Sequence, residues 1–106
     1  MRGYCYLNGR ILPLRDAHVS VLDRGFVLGD GIYEVVPIYA GKPFRAQQHF
    51  RRLQRSLVAV RIPLPFDEAG FMRILNDLVV VAGQPPAPRE LFYLQITRGV
   101  APRVHA

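Results

Sequence analysis

The chain has 106 residues and half of them are hydrophobic, enough for one domain with a compact core and no more. A single cysteine, Cys5, excludes an internal disulfide and a cysteine-rich metal site. The formal charge of +6, from thirteen arginines and one lysine against eight acids, first suggests nucleic acid, but the arginines are scattered and no basic run is interleaved with aromatics, so no nucleic-acid partner is expected.

Tyr4 to Leu14 predicts a β-hairpin, because Asn8-Gly9 is a favoured type I′ turn pair between alternating apolar residues. Cys5 lies in the first strand, as a small buried thiol. Arg15 to Asp30 reads mostly as loop, with a short strand possible at His18 to Leu22. Gly31 to Tyr39 and Lys42 to Arg45 predict a second hairpin around Ala40-Gly41. Its first strand alternates, with Tyr33, Val35 and Tyr39 on one face and Ile32, Val36 and Ile38 on the other. Glu34 falls opposite Tyr33 and is assigned no catalytic role. Pro37 inside this strand demands an edge or a bulge.

Ala46 to Val60 reads as an amphipathic helix with Phe50, Leu53, Leu57 and Val60 at helical spacing. Pro63 and Pro65 break the chain, and Asp67 is a good N-cap for a second helix. That helix turns Phe71, Ile74, Leu75 and Leu78 inward and stops near Gly83. After a proline-rich connector, Leu91 to Thr97 is a final strand. The order predicts an α+β fold, an antiparallel sheet with two helices packed on one side.

Three features carry chemistry. The Gly-rich run Asp23 to Val36 ends in a strand that begins with Tyr33 and Glu34, a common way to place a ligand site on a rigid element. On the first helix, Arg45, His49, Arg52 and Ser56 share a flank beside the apolar stripe, while Arg51 and Arg55 point to solvent. An arginine on that border either covers apolar surface with its stem or reaches into a cleft to grip a phosphate. Arg103 and His105, two apart, point the same way in an extended segment and form either a carboxylate clamp or an ordinary basic loop. His18 reads as structural, and the three histidines with one cysteine have no metal-ligand spacing.

Four blocks in order, Tyr4 to Leu14, Arg24 to Glu34, His49 to Leu53 and Thr97 to His105, resemble the N-terminal region of the fold-type IV pyridoxal-phosphate enzymes. These are the D-amino-acid transaminases, branched-chain transaminases and aminodeoxychorismate lyases. The resemblance implies a small domain spanning residues 1–106, in a homodimeric enzyme using pyridoxal 5'-phosphate. It implies that Arg52 binds the cofactor phosphate, and that Tyr33, Arg103 and His105 hold the substrate carboxylate. The Arg-x-His pair resembles the D-specific branch, which implies transfer of an amino group between a D-amino acid and a 2-oxo acid. The branched-chain and lyase branches are the alternatives, as is a non-catalytic binding or oligomerisation module.

Such chemistry needs a lysine amine to link the cofactor and move a proton. The only lysine, Lys42, lies in a hairpin turn that no family motif uses for this purpose. In the family the lysine follows the Arg-x-His segment, in a larger domain. The chain is therefore expected to be the small domain alone, with no catalytic residue of its own, and inert in isolation. The lack of an apolar run for a signal peptide or a membrane span, with one cysteine, predicts a cytoplasmic setting and no membrane.

Overall fold

A computed structural model describes residues 3–100. Strands β1 (Tyr4–Leu7) and β2 (Arg10–Pro13) pair antiparallel around Asn8 and Gly9, at φ 50° and 92° as a type I′ turn requires. A 3-10 turn over Leu14–Asp16 follows. The expected strand at His18 to Leu22 does not form. There Ser20 bonds the Leu22 N–H through its hydroxyl (3.0 Å) and the Asp23 N–H through its carbonyl (3.0 Å), which closes a turn instead. Helix α1 (Arg24–Leu28), which the sequence reading did not anticipate, starts at Asp23, whose carboxylate takes the Gly25 N–H at 2.8 Å. It ends at Gly29, which is left-handed at φ 65°.

Strand β3 (Gly31–Tyr39) is the axis of the molecule. It pairs along its whole length with β5 (Arg89–Thr97), and at Ile38 and Tyr39 with the two-residue β4 (Lys42–Pro43). All pairings are antiparallel, in the order β4-β3-β5. The hairpin β1-β2 does not join this sheet, so the single sheet expected is two. The hairpin satisfies its own ladder and lies against a helix instead.

Helices α2 (Ala46–Val60) and α3 (Glu68–Ala82) cover one face of the three-stranded sheet. Asp67 caps α3 through the Gly70 N–H at 2.8 Å, as its residue type predicts. Phe71 is fully buried, with Phe50 and Phe92 at ring-centroid distances of 5.4 and 6.3 Å. Leu53, Leu57, Leu75 and Val36 complete the centre. Each such side chain contributes about 1.5–3 kcal/mol on leaving water. Leu78 packs at the margin, whereas Val60 is exposed at the last turn of α2 and Cys5 is only half-buried.

The alternation of β3 holds. Ile32, Glu34, Val36 and Ile38 face the helices, and Tyr33, Val35, Pro37 and Tyr39 face away. On β5 the same outward face carries Leu91 and Tyr93, both largely exposed. Tyr33 stacks on Tyr93 at 5.9 Å. Among the described residues nothing covers this apolar face.

Register also fixes where the backbone groups of β3 point. The Ala40 N–H bonds the Pro88 carbonyl, and the Pro37 carbonyl accepts from the Phe44 N–H. Even-numbered residues of β3 therefore bond to β5 and odd-numbered ones face the β4 side. Beyond Ile38 and Tyr39 no strand pairs on that side among the described residues. Pro37 loses no ladder bond, because its missing N–H faces the edge where β4 ends. The N–H and C=O groups of Tyr33 and Val35 lie open along the same edge, with no partner among the described residues.

Candidate active site

A cleft of about 320 Å³ runs along this open edge, lined by Tyr33, Glu34, Val35, Arg52 and Ser56. The flank predicted for α2 thus contributes Arg52 and, one turn later, Ser56. Arg45 does not take part. It sits in the left-handed region at φ 53°, and its guanidinium lies 5.2 Å from the Phe44 ring centre.

Glu34 is the residue that sequence reasoning passed over. Its side chain is 3% exposed, on the inward face of β3 beneath α2. One carboxylate oxygen accepts from His49 Nδ1 at 2.7 Å. Arg52 Nε reaches both oxygens, at 3.2 and 3.1 Å, and Nη2 bonds the same oxygen as His49. Burial pushes the Glu34 carboxyl up, but the bonds from Arg52 and His49 outweigh it and leave the group below its ordinary value. The same bond to Glu34 raises Arg52 above its ordinary value, so both stay charged. The clue in the sequence was an acid on an otherwise apolar strand face, opposite a helix with His and Arg three apart.

Arg52 uses its Nε–Nη2 edge on Glu34. Nη1 has no acceptor among the described residues, and the side chain is 60% exposed. The cleft therefore combines a fixed guanidinium, a serine hydroxyl and the open N–H groups of Tyr33 and Val35. Donors of this kind suit an oxyanion such as a phosphate. They fit the phosphate end of pyridoxal 5'-phosphate. Lys42 lies exposed in β4, paired with Tyr39 at the far end of β3, about 20 Å along the strand from Tyr33.

A second cluster fixes the exit of β5. Asp30 accepts from Arg98 Nε at 2.7 Å and from Arg24 Nε at 3.2 Å. The Arg98 bond, more than the Arg24 one, holds the Asp30 carboxyl below its ordinary value against a burial effect in the other direction. Arg98 also donates to the Val60 and Arg61 carbonyls at 2.6 and 3.1 Å, capping the end of α2. The Arg24 N–H bonds the Gly99 carbonyl at 2.8 Å. These bonds pin the entry to β3, the exit of β5 and the end of α2 together. Arg103 and His105 lie outside the described residues. His18 is exposed, with Nδ1 3.1 Å from the Asp16 carbonyl oxygen.

The profile of the family described as amino-transferase class IV matches residues 31–105. The chain belongs to this family. It is 40% identical over 98 residues to a D-alanine aminotransferase of Bacillus licheniformis, an alignment covering 92% of this chain and 34% of the relative. Its fold is that of the branched-chain amino acid aminotransferase from Escherichia coli, with a TM-score of 0.80 at 22% identity over 93% of this chain and 34% of that one. A hypothetical aminotransferase from Mycobacterium tuberculosis, solved in a PLP-bound form, superposes with a TM-score of 0.78 at 24% identity, covering 88% of this chain and 32% of that one. The chain thus spans about a third of the length of the relatives it matches. Among the described residues, no helix is long and apolar enough to cross a membrane.

Proposed function

We propose that this chain is the small-domain part of a homodimeric, cytoplasmic, pyridoxal-phosphate-dependent transaminase that moves an amino group between a D-amino acid and a 2-oxo acid. The observation that carries the reading is Arg52, held edge-on by Glu34 in a cleft along the open edge of β3, with Nη1 left without an acceptor among the described residues. The likeness to D-alanine aminotransferases over nearly the whole chain supports the D-specific branch.

In this reading Arg52, Ser56 and the open N–H groups of β3 hold the cofactor phosphate. The Tyr33 hydroxyl, Arg103 and His105 hold the substrate carboxylate by charge-assisted and neutral hydrogen bonds. The bound cofactor supplies the electron sink that the amino-group transfer requires. Lys42 is solvated and remote from Tyr33 along the sheet, so in this reading it is not the catalytic lysine, which comes from polypeptide outside these 106 residues.

The complete enzyme tests the assignment. Arg103→Ala or His105→Ala removes a charge-assisted contact of roughly 1.5–3 kcal/mol, so kcat/KM for D-amino acids falls about 10- to 100-fold with cofactor retained. Arg52→Ala weakens cofactor retention first. Equal loss of cofactor in all three variants would show the roles to be misassigned. The 106-residue chain alone is expected to hold no dialysis-resistant cofactor, and a stoichiometric yellow complex on Lys42 would overturn the small-domain reading.

A further inference from the structure

We propose that Glu34, braced by His49, is the positioning residue that presents Arg52 to the cofactor phosphate. The proposal rests on the phosphate role of Arg52 given above and adds a role for two residues that touch no ligand.

Four observations, on β3 and on α2 above it, converge. Glu34 is buried, so its carboxylate cannot turn away to water. His49 holds one oxygen at 2.7 Å and so fixes the rotation of the carboxylate about its own axis. Arg52 meets that fixed carboxylate through Nε and Nη2, which sets the plane of the guanidinium as well as its place. Arg52 lines a cleft whose other walls include Ser56 and the open strand edge at Tyr33 and Val35, and its Nη1 has no acceptor among the described residues. An arginine held in this way has lost its rotamer freedom before the ligand arrives, so that cost does not fall on binding.

A competing role makes the opposite prediction. Glu34 is an anion beside the cation that is to receive a phosphate. Were it merely a rival for Arg52, removing its charge would free the guanidinium and strengthen phosphate binding. Were it a positioning residue, removing its charge would loosen Arg52 and weaken binding. The sign of one measurement separates the two.

The experiment uses the 106-residue chain, labelled with nitrogen-15, and follows the Arg52 Nε–Hε resonance while pyridoxine 5'-phosphate or pyridoxine is added. Neither compound carries an aldehyde, so amines do not react. Glu34→Gln is expected to move the Arg52 resonance toward those of the solvated arginines. It should weaken pyridoxine 5'-phosphate about three- to tenfold, the size of one immobilised long side chain, and leave pyridoxine unchanged. Unchanged or tighter phosphate binding in folded Glu34→Gln overturns the proposal, and so does equal weakening of both compounds, which marks a general structural loss. If Glu34→Gln does not fold, Glu34→Asp keeps the charge but withdraws it by one methylene. Weaker phosphate binding in that variant supports the proposal and unaltered binding overturns it. Arg52→Gln is the control for the reading beneath. If it leaves pyridoxine 5'-phosphate binding intact, the phosphate role of Arg52 fails, and the positioning role with it. If Arg52→Gln abolishes binding while Glu34→Gln does not, only the positioning role fails.

Discussion

Glu34→Gln also makes the sharpest prediction about stability. In the native chain the carboxylate is 3% exposed and takes bonds from His49 at 2.7 Å and from Arg52 at 3.1 and 3.2 Å. A glutamine of the same shape keeps one acceptor, but turns an amide N–H toward a group that can only donate. Charge-assisted bonds contribute roughly 1.5–3 kcal/mol. Arg52 is largely solvated and recovers water when released, so the net loss is set lower, at about 1–2 kcal/mol. For a domain of this size that lowers Tm by roughly 5–15 °C. The pH dependence follows from the depressed Glu34 carboxyl. A group whose folded value lies below its unfolded one stabilises the fold above the unfolded value, and that stability is lost as pH falls through the folded one. The gap between the native chain and the variant is therefore full at neutral pH, and closes below the ordinary glutamate value of 4.5. Asp30 titrates in both proteins and cancels in the difference. Urea denaturation followed by circular dichroism at pH 7 and pH 3 measures the gap. A gap of the same size at both pH values, or a variant more stable than the native chain, would refute the account of Glu34 as a charged, bonded group.

Three other substitutions probe the frame around the site. A Cβ on Gly31 would stand 2.7 Å from the Ile96 carbonyl oxygen, so Gly31→Ala must part β3 from β5 and is expected to destabilise the chain by about 1–3 kcal/mol in the same denaturation assay. Arg61 ends α2 in the left-handed region at φ 59°, where glycine carries no Cβ penalty, so Arg61→Gly should raise stability by about 0.5–1 kcal/mol while the backbone carbonyl still receives Arg98. Leu91, 73% exposed, sits on the uncovered sheet face with Tyr93, so the chain is expected to self-associate and Leu91→Asp to shift it toward monomer in sedimentation velocity. A monomeric native chain at high concentration would count against that.

The sequence alone determined the elements whose rules are local. Asn8-Gly9 and Ala40-Gly41 accept the positive φ of tight hairpin turns, so both hairpins were legible from adjacent residues. Phe50, Leu53 and Leu57 recur at the helical period, and the stripe they form is the buried face of α2. Asp67 caps α3 because a short acceptor before an apolar run has one good use. The motif blocks carried the family, and the family carried the role expected of Arg52. Helix α1 escaped because five residues, one of them a glycine, show no periodicity, and its limits are set by Asp23 and Gly29. The placement of the hairpin β1-β2 escaped because alternation says which residues share a face and not which sheet a strand joins.

Only the tertiary structure decided that Glu34 lies under Arg52. The two are 18 positions apart, and their meeting depends on where α2 crosses β3. A one-residue slip in the register of β3 would have turned Glu34 to the other face. The same register left the N–H groups of Tyr33 and Val35 without partners among the described residues along the cleft, because β4 is only two residues long. Arg98, in the last of the motif blocks, ties Asp30 to the end of α2 across 68 and 38 positions of chain. Turns and caps are decided within a few residues, where the chain is its own environment. Charge pairs and open edges are decided between elements, by packing that no local pattern states.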